Sequence, residues 1–274
     1  MQRLSLYLLA LCFCLGACSP NNVKEDSAIK TYFDSVGVTG CFGLYDNGQG
    51  DFTIYNLQRF RDSVYSPAST FKIVNSLIGI ETGRVKDDST VFKWDSTLRG
   101  RSECNTDMSM YTAFRLSCPP YYRQLARRIG KDTMQHWLDT LGYASKKGRF
   151  EIKNNLDTFW LDNSIKITAD EELGLAKKLY FDQLPFQKRS MQIVRRMMLW
   201  ENNSNYKLSY KTGWGTLENG HDLGWIVGWI EENNHPYFFV LQLESSTRNF
   251  EMRTVRINLL KAILKHMGFF EGKK

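Results

Sequence analysis

Three runs rich in aromatic and β-branched residues, near the C-terminus, constrain the fold most. They are Leu208–Gly213, Gly224–Glu231 (GWIVGWIE) and Tyr237–Glu244 (YFFVLQLE), and turns containing Gly and Asn separate them. These residue types favour the pleated, half-buried surface of a sheet, and short turns between consecutive strands favour antiparallel neighbours. The sequence therefore predicts an antiparallel meander at this end of the chain.

A second strand region lies near the N-terminus. Cys41–Tyr45 and Phe52–Asn56 flank the turn signal DNG, which is typical of a hairpin. The middle of the chain, roughly 87–199, shows mainly helical periodicity. Within it we predict helices at Tyr122–Ile129, Thr133–Leu141, Ala169–Tyr180 and Gln187–Trp200. Two more helices are predicted outside the middle, one directly after Pro67 and one at Thr254–Met267. We expect an α/β fold of the α+β type: hairpin and meander share one antiparallel sheet, helices flank it, and the middle forms a helical lobe.

Composition excludes several classes of protein. The chain has 274 residues, 42% of them hydrophobic and 14% aromatic, which is too apolar for a disordered protein. The absence of internal repeats excludes solenoids and propellers. The net charge of +7 comes from Lys and Arg scattered among acids, whereas a nucleic-acid-binding surface clusters them. We expect a single domain over residues 31–274 and no nucleic-acid partner.

The N-terminus has the pattern of an export signal. The apolar run at 4–17 (LSLYLLALCFCLGA) follows Arg3 and is shorter than the roughly 20 residues that a spanning helix needs. It ends in LGAC, which resembles the lipobox of bacterial lipoproteins. We predict that residues 1–17 are a lipoprotein signal peptide, that Cys18 is lipidated and that 18–30 is a polar linker. The protein would then be periplasmic and contact the membrane only through this lipid anchor; an ordinary signal peptide cleaved near Ala17 is the alternative.

Cysteine and histidine usage indicates neither a metal site nor a disulfide-rich scaffold. With Cys18 lipidated, Cys41, Cys104 and Cys118 remain in the mature chain, so at most one disulfide can form among them. Neither a C-x-x-C pair nor H-E-x-x-H occurs, and the four histidines are far apart. We therefore predict no metal site.

Ser69 and Lys72 are the first candidates for catalysis. They lie three residues apart at the start of the helix predicted after Pro67, a spacing that places both on one helical face. A lysine kept neutral by burial or by a cationic neighbour can take the proton of a serine nucleophile, and the N–H groups at a helix N-terminus can stabilise an oxyanion. Because S-x-x-K occurs by chance in many chains, a helix N-cap is the alternative role of Ser69.

Lys211, Thr212 and Gly213 form a second motif, on the first strand of the predicted meander. The cation and the hydroxyl project from the strand, and the glycine lets a substrate approach the backbone. S-x-x-K followed far downstream by K-T-G on a strand is the motif set of penicillin-recognising serine enzymes.

The sequence around these motifs resembles the class D β-lactamases, or oxacillinases, over roughly residues 30–270. The matching segments are YSPASTFKIVNSLIGIETG around Ser69, VFKWD at 91–95, FWL at 159–161, KTGW at 211–214 and GWIVGWIE at 224–231. The resemblance implies the fold of serine β-lactamases and penicillin-binding transpeptidases. It also implies hydrolysis of β-lactam antibiotics, penicillins and oxacillin among them, through a serine acyl-enzyme, which confers antibiotic resistance.

The resemblance assigns the chemical steps to four residues. Ser69 would be the acylated nucleophile, and Lys72 the general base, carboxylated on its amine by CO2 to N6-carboxylysine. Trp160 would donate its indole N–H to that carbamate. Ser117 would pass a proton to the leaving nitrogen. Apart from CO2 or bicarbonate for this modification, no cofactor is implied.

Substrate binding falls, by the same resemblance, to the K-T-G strand and the terminal helix. Lys211, Thr212 and Gly213 would line the pocket, and the backbone N–H groups of Ser69 and Trp214 would form the oxyanion hole. Arg256 would hold the substrate carboxylate, with Arg253, one turn away, as the alternative. The expected partner is a small-molecule β-lactam, bound by a monomer or a homodimer.

Two segments depart from the family pattern. The S-x-V motif reads SCP at 117–119, with Pro119 in place of valine, and the Y-G-N motif reads YAS at 143–145, with Ser145 in place of asparagine. Both touch the pocket wall and so bear on substrate range and on the hydration of Lys72.

Glu171 and Glu172 open a predicted helix, where acidic side chains interact favourably with the helix dipole. We interpret both as capping residues.

Two other functions share the acylation step. A penicillin-binding D,D-peptidase or transpeptidase would form the same acyl-enzyme, as would a β-lactam sensor that stays acylated as a signal. A sensor needs membrane-spanning helices, and no apolar run of the required length follows residue 17. A transpeptidase would more often be longer. We therefore favour the hydrolase.

Overall fold

The computed structural model describes residues 22–247 and 250–274. Its strands are β1 (Val23–Glu25), β2 (Thr39–Asp46), β3 (Asp51–Tyr55), β4 (Val91–Phe92), β5 (Met108–Ser109), β6 (Leu199–Asn202), β7 (Lys207–Thr216), β8 (Asp222–Glu232) and β9 (His235–Ser245). Its α-helices are α1 (Lys30–Ser35), α2 (Leu57–Asp62), α3 (Lys72–Glu81), α4 (Met110–Leu116), α5 (Pro119–Ile129), α6 (Lys131–Leu141), α7 (Ala169–Tyr180), α8 (Lys188–Met198) and α9 (Met252–His266). Short 3-10 helices include Ala68–Phe71 and Ser102–Cys104.

One seven-stranded sheet joins the two ends of the chain. Its order is β1-β3-β2-β9-β8-β7-β6, and β4 and β5 form a separate pair. The N-terminal hairpin reaches the meander through β2, which runs antiparallel to β9 from the pair Thr39–Glu244 to the pair Asp46–Tyr237. The predicted architecture, a sheet of hairpin plus meander flanked by helices, is confirmed.

Both faces of this sheet are buried, which explains why its strands are almost continuously apolar. Along β8, Trp225 and Val227 pack into one core and Ile226 into the other, because successive side chains of a strand point to opposite faces. Helices α1 and α9 cover one face, and α7 crosses the other. A strand covered on both sides has no reason to alternate with polar residues.

Two edge strands differ from the sequence prediction. β1 lies inside the predicted linker 18–30 and pairs parallel with β3. β6 occupies the end of the helix predicted over Gln187–Trp200, because α8 stops at Met198 and Leu199 turns into an extended strand that pairs with Ser209. β1 is held by hydrogen bonds to a strand farther along the chain, so local periodicity carries no signal for it. β6 forms a hairpin with the next strand, β7, and its four residues are too short a run to be separated from the preceding helical pattern.

Helix α3 lies in the interior of the helical lobe and packs against α5 and α8. Its residues from Lys72 to Ile80 are all buried. Gly79 permits the close approach of α5, since a Cβ added there would lie 2.9 Å from a Leu125 methyl carbon. Each fully buried Leu, Ile or Val contributes about 1.5–3 kcal/mol of transfer free energy. The helix that carries Lys72 and follows the Ser69 turn is therefore rigidly held. Across the described residues, no helix has the length and apolar character of a membrane span.

Candidate active site

Ser69 and Lys72 meet where the 3-10 helix Ala68–Phe71 runs into α3. The Lys72 Nζ atom lies 2.6 Å from Ser69 Oγ, and the lysine is 0% exposed. Burial, reinforced by the charges of Arg101 and Arg123, lowers the pKa of Lys72 to about 7. A lysine in this condition is partly neutral near neutral pH, so it can accept the serine proton.

The turn that presents Ser69 has a strained backbone. Ala68 adopts a left-handed φ of 49°, a conformation that costs a non-glycine residue on the order of 1–3 kcal/mol. Buried partners hold it in place: the Trp225 indole N–H donates to the Ser66 carbonyl at 2.9 Å, and the Ser66 hydroxyl donates to the Trp160 carbonyl at 2.8 Å. These contacts fix the turn that presents the nucleophile.

Ser117 and Lys211 form a second hydroxyl–amine pair. The Lys211 Nζ atom lies 3.0 Å from Ser117 Oγ and donates to the Thr212 carbonyl at 2.8 Å. Burial, followed by the charges of Lys72 and Arg256, lowers the pKa of Lys211 well below its usual range. The S-x-x-K and K-T-G motifs, far apart in sequence, thus contribute to one cluster of hydroxyls and amines.

Strand β7 lies beside the Ser69 turn because β6 covers only its first residues, Lys207–Ser209. A Cβ added at Gly213 would lie 3.1 Å from the Pro67 carbonyl oxygen and 3.0 Å from Trp225 Cβ. A larger residue at 213 would therefore push the strand away from the turn. Trp214 is exposed, and its indole N–H donates to Asp222 at 3.0 Å.

Arg256 reaches the K-T-G strand from α9. It is buried, its guanidinium donates to the Gly213 carbonyl, and burial lowers its pKa to about 10. Arg253 instead lies 3.6 Å from Glu103 and is largely exposed. Of the two candidate arginines, the structure places Arg256 at the strand, where its positive charge favours an anionic substrate group.

Trp160 supplies a buried donor without an acceptor. It is completely buried, its ring stacks on Phe71 at 5.2 Å, and its Nε1 atom has no hydrogen-bond partner within the described residues. An unsatisfied buried donor costs about 1–3 kcal/mol. This N–H is therefore available to an acceptor that enters the site.

The one disulfide among the described residues, Cys104–Cys118, braces the segment after Ser117, with Cα atoms 5.6 Å apart; Cys41 is buried and free. Arg101, just before the 3-10 helix that ends at Cys104, donates to the Ser117 carbonyl at 3.3 Å. These contacts hold Ser117 in its left-handed conformation, φ 59°. In the same parts of the chain no group of three or more His, Cys, Asp and Glu could hold a metal ion.

Comparison with known proteins identifies the family. Residues 40–265 match the family model described as penicillin binding protein transpeptidase domain. The chain is 40% identical over 225 residues to Beta-lactamase OXA-48 of Klebsiella pneumoniae, covering 82% of each chain. It also superimposes on the solved class D β-lactamase YbXI from Nostoc with a TM-score of 0.82 and 32% identity, covering 89% of this chain and 100% of that one. The chain belongs to the class D β-lactamases.

The class D β-lactamase fold is shared by a receptor. The C-terminal domain of the BlaR penicillin-receptor from Bacillus licheniformis matches with a TM-score of 0.82 and 26% identity, covering 90% of this chain and 96% of that domain. The fold alone therefore does not separate a hydrolase from a penicillin receptor.

Of the two departures from the class D β-lactamase pattern, the proline has a local structural reason. Pro119 occupies the first turn of α5, where its fixed φ suits a helix and its missing N–H is not needed. It also lines a cavity of about 470 Å³ beside the site, together with Arg101 and Tyr121. In the YAS segment, Ala144 takes a left-handed φ of 56° and Tyr143 packs on Phe71 at 5.5 Å.

Two residues near this site, Arg101 and Glu172, were not assigned to it from the sequence. Glu171 does form the expected capping box with Thr168. Glu172, however, is completely buried and hydrogen-bonds to the Thr70 hydroxyl, so the interpretation of Glu172 as a capping residue was wrong. A signal was available, because Leu175, Ala176 and Leu179 follow at helical spacings of three, four and seven, which places Glu172 on the buried face.

Proposed function

We propose that this class D β-lactamase hydrolyses penicillins and oxacillin-type β-lactams through an acyl-enzyme on Ser69, and that it confers resistance on the cell that makes it. One observation carries the proposal: Lys72 Nζ lies 2.6 Å from Ser69 Oγ, in an interior where burial brings the pKa of the lysine to about 7. Base and nucleophile are already in contact, as covalent catalysis requires.

Acylation uses the two hydroxyl–amine pairs in turn. Lys72 accepts the Ser69 proton as Oγ attacks the lactam carbonyl, and the backbone N–H groups of Ser69 and Trp214 stabilise the oxyanion. As the ring C–N bond breaks, Ser117 gives its proton to the nitrogen, and Lys211, 3.0 Å away, restores that proton. Arg256 holds the substrate carboxylate with its guanidinium.

Deacylation requires a base that activates water, and we propose that Lys72 is N6-carboxylysine in the working enzyme, so that its carbamate takes the proton of Ser69 first and that of water second. Its buried amine has the lowered pKa that reaction with CO2 needs, and Trp160 holds an unpartnered buried N–H that suits a new acceptor. The carbamate supplies an anionic base able to take a proton from water. Lys72 and Trp160 thus fit the modification.

We propose that the mature protein is a periplasmic lipoprotein anchored through Cys18. The signal peptide, 1–17, and Cys18 lie outside the described residues, so the proposal rests on their sequence. The pairing of Cys104 with Cys118 supports it, because disulfides persist in oxidising compartments such as the periplasm.

Turnover of the chromogenic cephalosporin nitrocefin by the purified mature protein tests the proposed activity. We expect many turnovers per molecule, and with Ser69→Ala neither turnover nor a mass increase on incubation with a penicillin. The likeness to the BlaR domain defines the competing function, a sensor. One equivalent of stable acyl-enzyme with no turnover would establish a sensor. Slow nitrocefin turnover together with transfer of a peptide acyl group would establish a D,D-peptidase.

A further inference from the structure

Glu172 is a buried acid that the proposed mechanism does not use. It lies on α7 and is 0% exposed. One carboxyl oxygen, Oε1, hydrogen-bonds to the Thr70 hydroxyl, and the other, Oε2, has no partner within the described residues. The same Thr70 hydroxyl lies 2.8 Å from the Pro67 carbonyl oxygen. Thr70 directly follows Ser69, so this chain of contacts ends at the turn that presents the nucleophile.

The number of protons in this chain of contacts determines the state of Glu172. A threonine hydroxyl has one proton to donate, while a carbonyl and an ionised carboxylate can only accept. With Glu172 ionised, the Pro67 carbonyl and the Glu172 carboxylate would compete for the single Thr70 proton. Whichever oxygen lost that competition would face the Thr70 oxygen with no proton between them. With Glu172 protonated, its O–H donates to Thr70, Thr70 donates to Pro67, and both contacts are satisfied.

The surroundings of Glu172 favour the protonated form. Burial raises the pKa of Glu172 to about 8; the Thr70 hydrogen bond opposes that rise and the charge of Glu171 adds to it. The titratable groups that act on it are Glu171, from its own helix, and the buried Tyr143, from the segment after α6. Neither is a cation, so no positive charge offsets the cost of a buried negative charge.

We propose that Glu172 is a neutral carboxylic acid in the active enzyme and acts as a positioning residue for Ser69. Its proton lets Thr70 hold the Pro67 carbonyl, and that carbonyl lies against Gly213 of β7. The chain Glu172–Thr70–Pro67 therefore sets the spacing between the nucleophile turn and the K-T-G strand. The protonation state stands independently of the proposed function, whereas the effect on catalysis rests on it.

Infrared difference spectroscopy on the folded protein tests the protonation state directly. We expect the wild-type protein at neutral pH to show the C=O band of a protonated carboxylic acid, and E172Q to lack it. Glu171→Gln is the matched control, because glutamine still completes the capping box and the acid band should remain. A wild-type spectrum with only carboxylate bands would overturn the proposal, whatever the protein hydrolyses.

The pH dependence of unfolding gives a second readout without substrate. A carboxyl whose folded pKa lies above its unfolded value stabilises the fold least once pH has risen through the folded pKa. The free energy of unfolding of the wild type, relative to that of E172Q, should therefore fall as the pH rises from the ordinary carboxyl pKa of 4.5 to the folded-state pKa of about 8. Urea unfolding at a series of pH values measures this difference. If the difference in unfolding free energy between wild type and E172Q stays constant over this pH range, Glu172 does not titrate there and the proposal is wrong.

Rescue by the amide distinguishes positioning from general packing. Glutamine keeps a donor and an acceptor of the same size, so kcat/KM of E172Q for nitrocefin should stay within about threefold of wild type, whereas E172A should lose about tenfold or more. Equal losses of kcat/KM in both variants would show that the acid itself is needed, which contradicts a positioning role that an amide can fill. If E172A fails to fold, the E172Q rate and the spectrum still decide.

Discussion

The buried basic residues Lys72, Lys211 and Arg256 determine the electrostatics of this site. None of them has a carboxylate partner among its hydrogen bonds within the described residues, and burial is the first cause of the lowered pKa of each. Unpaired buried cations are costly for stability. They are useful in an enzyme whose substrate brings a carboxylate and whose base must be neutral.

Activity should fall as pH drops below the Lys72 pKa of about 7, because a protonated amine can neither accept the Ser69 proton nor react with CO2 to form the carbamate. Added bicarbonate should raise the rate, most at mildly acidic pH, where the carbamate is lost. Initial nitrocefin rates against pH, with and without bicarbonate, measure both effects. Full activity in CO2-depleted, mildly acidic buffer would instead indicate an unmodified lysine base and a penicillin-binding function.

Arg256→Ala should raise KM for penicillins by roughly ten- to hundredfold with a smaller effect on kcat, since a charged hydrogen bond contributes about 1.5–3 kcal/mol. Arg253→Ala is the matched control, because this arginine is exposed and faces Glu103. Steady-state kinetics of the two variants measure the difference. A larger KM effect at Arg253 would mean that the carboxylate binds on that side of the helix.

At the scale of elements, the predictions succeeded where the signal is local. Helix α7 has the predicted bounds, Ala169–Tyr180, because its capping box and apolar stripe lie within the helix itself. Strand β6 was missed because its four residues directly follow α8 and are too few to show a strand pattern of their own. The contacts of Glu172 and Arg101 with the site likewise form only in the folded chain. The S-x-x-K and K-T-G motifs indicated the site's residues, but not the proton arrangement around Thr70.

The disulfide shows the same limit, since the sequence allowed one bond among three cysteines and the fold pairs Cys104 with Cys118. Replacing both by Ala should lower the free energy of unfolding by about 3 kcal/mol, the loop-entropy value for a loop of this length, and lower kcat by loosening Ser117. Urea unfolding with and without dithiothreitol measures this, and Cys41→Ala should keep the response to reductant. A wild type indifferent to reductant would contradict a stabilising disulfide.

At the scale of the whole molecule, the anchor proposed at Cys18 is separate in sequence from the segments that build the site. Residues 1–21 are outside the described structure, whereas the site is built from α3, α4, β7 and α9. Cys18→Ser should therefore release the protein into the soluble periplasmic or secreted fraction without changing nitrocefin turnover per molecule. Fractionation with an activity assay measures both. Membrane association that persists in this variant would contradict lipidation at Cys18.

The pairing of β2 with β9 also sets the order in which the protein can be made. The two strands are about 200 residues apart in the chain, so a ribosome must synthesise nearly all of it before the sheet can close. The Ser69 turn emerges early, yet β7, which it lies against, follows more than a hundred residues later. Contacts of such long range make folding slow. The nascent enzyme is thus inactive throughout most of its synthesis, and its nucleophile is assembled only at the end.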